Sequence, residues 1–370
     1  MTAEELVASL VAIESVNPEL VRGGAGEAEI AEFVAGWLRD AGLEVELDEA
    51  APGRPSVIAV APGTGGGRSL MLNAHLDTVG VEGMERPFEP VVRDGRLYGR
   101  GAYDMKAGLA ACMLAAARAR SEGVRGDVVV SAVADEEHAS IGVQSVLKRR
   151  RTDAAIVTEP TALRVCIAHK GFAWAEIETR GRAAHGSRPA EGVDAITRMA
   201  PALTRLAELQ SELDGAPGNE LVGPGSVHGS LIDGGQELSS YPARCVLSLE
   251  RRTIPGETAE DVRRECEALI KGIEDAEARL GIVREPFSVE PGADVVQAVA
   301  RAAEAVTGRP AELYGETGWM DAAFIQAAGI PTVVFGPGGE GAHAVDEWVD
   351  LESVEACAEG LVLAARDLCG

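Results

Sequence analysis

Histidines and acidic residues fall at a few places along the 370-residue chain where they could do chemistry. His75-Leu76-Asp77 follows the apolar run Leu70 to Asn73, and Asp104 follows Gly99-Arg100-Gly101-Ala102-Tyr103. Asp135-Glu136-Glu137 closes Val128 to Val133, Glu159 closes Ala155 to Thr158, and His343 lies in the glycine-rich stretch after Pro331 to Phe335. Imidazole plus carboxylate is a donor set that suits zinc. Each cluster alone has a plainer reading: a surface His-x-Asp pair, a solvated acidic loop, a Glu-Pro turn. Their shared position at the ends of apolar runs makes them a converging set, because sites in open α/β sheets gather at the carboxyl ends of strands.

The elements that must carry these residues can be read from hydrophobic texture. Val57 to Ala61, Leu70 to Asn73, Val128 to Val133 and Ala155 to Thr158 lack polar alternation and predict buried strands. Met105 to Glu122 and the N-terminal stretch through Ile13 predict helices. This order implies an α/β sheet, at least partly parallel, with helices on both faces. The texture changes near Gly171. Trp174 to Arg180 and Val246 to Arg252 alternate with period two. Val193, Ile196, Met199, Leu203 and Leu206 keep a helical spacing in which Pro201 should kink or interrupt the helix, and Val262, Cys266, Leu269 and Ile270 mark another helix. From about Val289 the buried texture returns, with a helix near Val295 to Ala305. The pattern predicts one large α/β domain formed by 1–170 and 285–370, interrupted by an α+β insertion at 171–284, with helices on one face of an antiparallel sheet.

Composition sets the outer bounds. The chain is 46% hydrophobic and 25% charged, the profile of a soluble globular protein. A formal net charge of −25 makes nucleic acid and anionic membrane unfavourable partners. The six cysteines form no CxxC pair and read as buried thiols of a reducing cytoplasm. The N-terminus carries acidic residues where a signal peptide would carry basic ones, and the longest apolar run, Leu109 to Ala117, is too short to span a bilayer. The Gly63 to Arg68 stretch lacks the Gly-Lys-Ser/Thr of a phosphate loop and reads as a tight connection, and no G-x-S-x-G nucleophile motif is present.

Taken in order, Ala74-His75-Leu76-Asp77, Gly99 to Lys106, Asp135-Glu136-Glu137, Thr158-Glu159-Pro160, Ala184-His185-Gly186-Ser187-Arg188-Pro189, Arg251 to Glu257 and Gly341-Ala342-His343 resemble one family. It is the two-zinc amidohydrolase and metallopeptidase family of acetylornithine deacetylase, succinyl-diaminopimelate desuccinylase, aminoacylase-1 and carboxypeptidase G. The resemblance spans nearly the whole chain. It implies a zinc-peptidase-like catalytic domain with a mixed, largely parallel sheet, and a ferredoxin-like inserted domain serving as lid and dimer interface.

By this resemblance, His75 and Glu159 would hold one zinc, Glu137 and His343 the other, and Asp104 would bridge both; Co2+ or Mn2+ are possible substitutes. Asp77 would accept the second ring N–H of His75. Glu136 would be the general base. Neighbours on a regular strand point to opposite faces, so an irregular strand end is expected to turn Glu137 to metal and Glu136 to the water. A hydroxide bridging the two metals would attack an amide carbonyl, and Glu136 would pass its proton to the departing amine.

His185 would donate to the oxyanion, often from the partner subunit of a homodimer, and Arg252 would pair with the substrate carboxylate. The chain departs from the pattern twice. Glu250 stands where relatives commonly have Asp, and Ser239 where they commonly have Asn, which places Ser239 among the candidate substrate contacts. His138, His169 and His228 have no chemical assignment. The expected reaction is zinc-dependent hydrolysis of an amide beside a free carboxylate, most simply deacylation of an N-acyl amino acid. The competing expectations are a carboxypeptidase or dipeptidase and, from another class, a catalytically silent binding protein on the same scaffold.

Overall fold

A computed structural model describes residues 1–370. The elements run α1 (Ala3–Val11), α2 (Ala28–Asp40), β1 (Glu44–Ala51), β2 (Arg54–Ala61), β3 (Leu70–His75), β4 (Val91–Arg93), β5 (Arg96–Tyr98) and α3 (Ala107–Glu122). They continue through β6 (Val128–Val133), α4 (Ile141–Arg149), β7 (Ala154–Val157), β8 (Val165–His169), β9 (Gly171–Arg180), α5 (Ala195–Gly215), β10 (Ser226–Gly234) and β11 (Arg244–Thr253). Next come α6 (Ala259–Ile270), β12 (Ala276–Arg284), β13 (Phe287–Ser288), α7 (Asp294–Thr307) and β14 (Leu313–Glu316). The chain closes with α8 (Ala322–Ala327), β15 (Thr332–Val334), β16 (Gly339–Glu340), β17 (Trp348–Asp350) and α9 (Leu351–Cys369). No helix is long and apolar enough to cross a membrane.

Two compact units emerge. The larger comprises Met1–Ile167, Val289–Tyr314 and Met320–Gly370; the smaller comprises Ala168–Ser288 with Gly315–Trp319. The short return segment Gly315–Trp319 was expected with the larger domain. It joins the smaller unit because Gly315 packs against Leu221 and Val222.

In the larger unit the sheet order is β1-β2-β6-β3-β7-β15-β8. Strands β6, β3, β7 and β15 are mutually parallel, whereas β1 and β2 pair antiparallel at one side. The parallel strands are buried at every residue, which is why they read as unbroken apolar runs. Their carboxyl ends therefore lie along one edge, where His75, Asp135 to Glu137, Glu159 and the loop to His343 begin. Helix α3 is rich in Ala and Gly and packs against β3 and β6 as well as α1 and α9. Its small side chains permit close approach: a Cβ at Gly108 would lie 2.2 Å from the Thr158 carbonyl oxygen.

The smaller unit is one antiparallel sheet of order β10-β11-β9-β12. Alternate residues Ala173, Ala175 and Ile177 of β9 and Cys245, Leu247 and Leu249 of β11 face a core shared with α5 and α6. Helices cover only that face. Contrary to the sequence expectation, α5 runs through Pro201 without interruption. Pro201 is exposed and removes a single backbone donor, while Ala195, Met199, Ala202 and Leu206 hold the helix to the core on either side of it. Asp194 caps the helix by accepting from the Ile196 and Thr197 amides.

The contact at Gly108 gives a stability test. Gly108→Ala should lower the melting temperature, as overpacking a filled site costs about 1–3 kcal/mol. Gly36→Ala in α2, where a Cβ meets nothing within 4 Å, should raise it through helix propensity, by about 0.5–1 kcal/mol. Thermal unfolding of both variants checks the contrast.

Candidate metal centre

His75 is the last residue of β3, and its Nδ1 lies 2.8 Å from the main-chain oxygen of Asp77. A carbonyl oxygen only accepts, so Nδ1 carries a proton, and in the neutral ring Nε2 is the nitrogen free to bind a metal. That Nε2 is 3.2 Å from Asp104 Oδ1 and 3.7 Å from Glu159 Oε1. On the other side, His343 Nε2 is 3.2 Å from Asp104 Oδ2 and 3.1 Å from Glu137 Oε2. Asp104 thus offers one oxygen to each group. His75, Asp104 and Glu159 form one set, and Asp104, Glu137 and His343 the other, with the donor atoms of each set within 4.8 Å of one another.

Three features of this arrangement fit divalent metal. Donor atoms about 2.0–2.1 Å from a tetrahedral zinc are spaced about 3.3 Å apart, close to the observed separations. A neutral imidazole nitrogen facing a carboxylate oxygen is two acceptors in contact, which a proton or a metal cation between them relieves. Glu137 Oε1 is buried with no hydrogen-bond partner within the protein, as suits an oxygen whose partner is a cation.

The electrostatics carry the same message. Burial, then the Glu159 charge, pushes the Glu136 carboxyl well above its ordinary range. Burial and the Asp104 charge do the same to Glu159. Burial opposes protonation of His75, yet its contact with Asp104 and the Glu159 charge hold its pKa well above 6.5. Burial disfavours the charged form of Asp104, and the two imidazoles overcome it and hold the carboxyl below its usual range. Asp321, also buried, adds negative charge felt by both Glu136 and Glu159. Such a concentration of acid is stable when cations sit within it.

The local backbone explains how both glutamates enter the site. Asp135 takes a left-handed conformation, φ 68°, at the end of β6, so the strand alternation stops there. The Glu136 and Glu137 amides then donate to Asp77 Oδ1 and Oδ2, at 3.1 and 3.2 Å. This corrects the role expected for Asp77. Its carboxylate stands 3.7 Å from His75 Nδ1, too far for a hydrogen bond. The Asp77 main chain fixes the imidazole, and its side chain fixes the backbone of the two glutamates.

Further residues support the centre with no sequence pattern to announce them. Asn17 Nδ2 donates to Asp77 and Asp135 at 2.8 and 3.0 Å. Arg54 bridges Glu27 at 2.6 Å and Asp135 at 3.0 Å. Glu347 accepts from the amides of Gly101, Tyr103 and Asp104 at 2.9–3.0 Å and from Arg100 at 2.5 Å. Arg100 in turn donates to the Ala344 carbonyl beside His343. One ion pair therefore ties the Asp104 loop to the His343 loop.

The remaining candidates lie in the smaller unit. His185 is exposed, and its Nδ1 accepts the Ser187 amide at 3.2 Å, so the neutral ring carries its proton on Nε2. Ser239 lies beside it, its carbonyl accepting the Gly186 amide at 2.6 Å. Arg252 is on β11, with Nε 2.7 Å from Glu250 Oε1. His169 is buried against the Phe287 ring, and His138 Nδ1 is 3.9 Å from Asp135.

A parallel sheet whose carboxyl edge carries two imidazole–carboxylate groups sharing one aspartate offers a site for two metal ions, and the family match below makes the chain a metal-dependent amidohydrolase. A profile of peptidase family M20/M25/M40 matches residues 71–367, and the chain belongs to that family. An acetylornithine deacetylase from Myxococcus xanthus is 32% identical over 354 residues, with 92% of each chain covered. An N-formyl-4-amino-5-aminomethyl-2-methylpyrimidine deformylase from Bacillus subtilis is 28% identical over 367 residues, covering 88% of this chain and 85% of its own. The fold is shared with an aminopeptidase from Bacillus cereus, at TM-score 0.81 and 23% identity over 99% and 98% of the two chains. It is shared too with a dinuclear metal binding M20 peptidase from Bacillus subtilis, at TM-score 0.75 and 18% identity over 99% and 97%.

Removing metal should expose the charge imbalance as a pH effect. Hydrogen bonds to Asp104 and Glu137 raise the His343 pKa to about 10. Its contribution to metal-free stability is complete below 6.5 and is lost as pH rises through about 10. Glu136 and Glu159, with raised values, likewise lose stabilisation as pH rises above 4.5. The melting temperature of chelator-treated protein should therefore fall between pH 6 and 9 more than that of the metal-loaded protein. Parallel curves for the two forms would contradict this account.

Proposed function

We propose that the chain is a zinc-dependent deacylase of N-acyl amino acids, with Glu136 as general base. The observation that carries this reading is the division of labour at the end of β6. Glu137 points a carboxylate oxygen at His343 and belongs to a metal-donor set, while the neighbouring Glu136 belongs to neither set. Burial raises its proton affinity, as it does that of Glu137 and Glu159, and a base acting near neutrality requires this.

Bound by His75, Glu159, Asp104, Glu137 and His343, two zinc ions would polarise the substrate carbonyl and lower the pKa of a water. Glu136 accepts the proton of the attacking water and returns it to the departing amine. His185, through the Nε2 proton set by its Ser187 contact, donates to the oxyanion. Arg252 receives the substrate carboxylate, and Ser239 contacts substrate from the loop beside His185. Deacylation is favoured over peptidase action because relatives near 30% identity across almost the full chain are named for removing acetyl or formyl groups. The inserted segment 171–284, which makes up most of the smaller unit, is assigned as lid and dimer interface. Its outer strand β10 exposes Leu231 and Ile232 at 72% and 56% along an unpaired edge, a surface suited to a second copy. Six buried cysteines with no disulfide among them suit a reducing cytoplasm.

A release assay on a panel of N-acetyl, N-formyl and N-succinyl amino acids and dipeptides tests the substrate class; faster release from dipeptides would favour the peptidase. In the same assay Glu136→Gln should keep its zinc and lose about 10²- to 10⁴-fold in kcat. Glu137→Gln should lose zinc, by more than the roughly 10- to 100-fold that losing a supporting hydrogen bond costs. Equal zinc loss in both would remove the distinction between base and ligand.

The dimer assignment has its own test. Mixed Glu136→Gln and His185→Ala chains should regain activity on subunit exchange, since one site per heterodimer then holds both intact groups. Exchange verified by mass without recovered activity would place His185 within its own chain's site or outside the reaction.

A further inference from the structure

Glu250 stands beside the proposed carboxylate-binding arginine, and its surroundings give it a task. On β11 it sits two residues before Arg252, so both side chains leave the same face of the strand. That face is the one no helix covers. Directly across the ladder from Glu250 is Trp174 of β9. Glu250 Oε1 accepts from Arg252 Nε at 2.7 Å, and Glu250 Oε2 accepts from the Trp174 indole at 3.0 Å. Each oxygen is thereby engaged by a different donor. The guanidinium also lies over the Phe172 ring, 5.3 Å from its centroid, and Phe172 contacts Trp174 at 5.4 Å.

The consequence lies in what is left open. An isolated carboxylate beside an arginine tends to take two N–H groups at once, forming the bidentate fork that a substrate carboxylate would need. Here the Trp174 indole holds Oε2 away, so Glu250 occupies only the Nε corner. Arg252 Nη1 and Nη2 form no hydrogen bond with the protein, and the side chain remains 34% exposed. The Phe172 ring fixes the plane of the guanidinium from one face. Lys170 is close enough for Arg252 to depress its ammonium pKa after burial has done so, and it keeps the surroundings cationic despite Glu250.

We infer that Glu250 is a positioning residue which, held by Trp174, presents the Nη edge of Arg252 to the carboxylate of an N-acyl amino acid. This rests on the reading of Arg252 as the carboxylate-binding residue. The extra methylene of Glu over Asp lets one side chain reach both its own-strand arginine and the cross-strand indole.

The test uses the N-acetyl amino acid turned over fastest in the panel and its C-terminal carboxamide, and reads the ratio of their kcat/KM values. Arg252→Ala should collapse the acid-to-amide ratio. Glu250→Gln and Trp174→Phe should each lower it at least about tenfold, mainly through KM for the acid, because the fork is no longer held. Glu250→Asp should retain more of the ratio than Glu250→Gln. The sign separates positioning from simple charge: deleting a nearby negative charge would by itself tighten carboxylate binding, and Trp174→Phe changes no charge at all. Circular dichroism and zinc content verify that each variant is folded. A ratio unchanged or raised in Glu250→Gln, with Arg252→Ala collapsed, overturns the positioning role alone. A ratio unchanged in Arg252→Ala overturns the reading of Arg252 and this inference with it.

Discussion

Asp104 divides its carboxylate between two imidazoles, one oxygen to His75 and the other to His343 at the same 3.2 Å, and the larger unit is built to keep that division fixed. The two histidines are separated by most of the chain, and one reaches the carboxylate from the end of β3 while the other comes from the loop between β16 and β17. Around them Glu136, Glu137, Glu159 and Asp321 add more negative charge in a largely water-excluded space. Neighbouring carboxylates repel strongly where solvent cannot screen them. The donor geometry and the charge imbalance therefore call for the same occupants, divalent cations.

The supports form a hydrogen-bonded series that leads away from the centre. Asp77 and Asp135 lie behind the two glutamates, Asn17 bridges them, and Arg54 and Glu27 close the series at buried positions. Arg100 and Glu347 do the equivalent for the Asp104 and His343 loops. Buried ion pairs are poor sources of stability, but removing one partner strands the other. Their use here is geometric: each fixes main-chain groups that carry a donor, as supporting hydrogen bonds do around metal sites generally.

The smaller unit works by a different economy of groups. It carries no acidic cluster of comparable density; its chemistry-bearing residues are a histidine whose tautomer is set by a neighbouring amide, a serine on the adjoining loop, and an arginine held at one corner. Glu250 and Trp174 show how a cross-strand pair can orient a side chain that neither strand could hold alone.

The sequence by itself determined the ingredients and their order. Unbroken apolar runs marked β2, β3, β6 and β7 because strands buried on both faces carry no alternation, and period two marked β9 and β11 because theirs are covered on one face only. Polar clusters at the ends of those runs named the centre, since parallel strands bring their carboxyl ends to one edge. Tertiary structure decided the rest. Whether Pro201 breaks a helix depends on packing against a core that local propensity does not contain. That Asp77 serves its neighbours' backbone rather than the His75 ring depends on a left-handed Asp135 and on Asn17, 60 residues away in sequence. Arg54, Glu27 and Glu347 had no signature, because a buried charge is recognisable only beside the partner that compensates it, and the partner comes from another part of the chain.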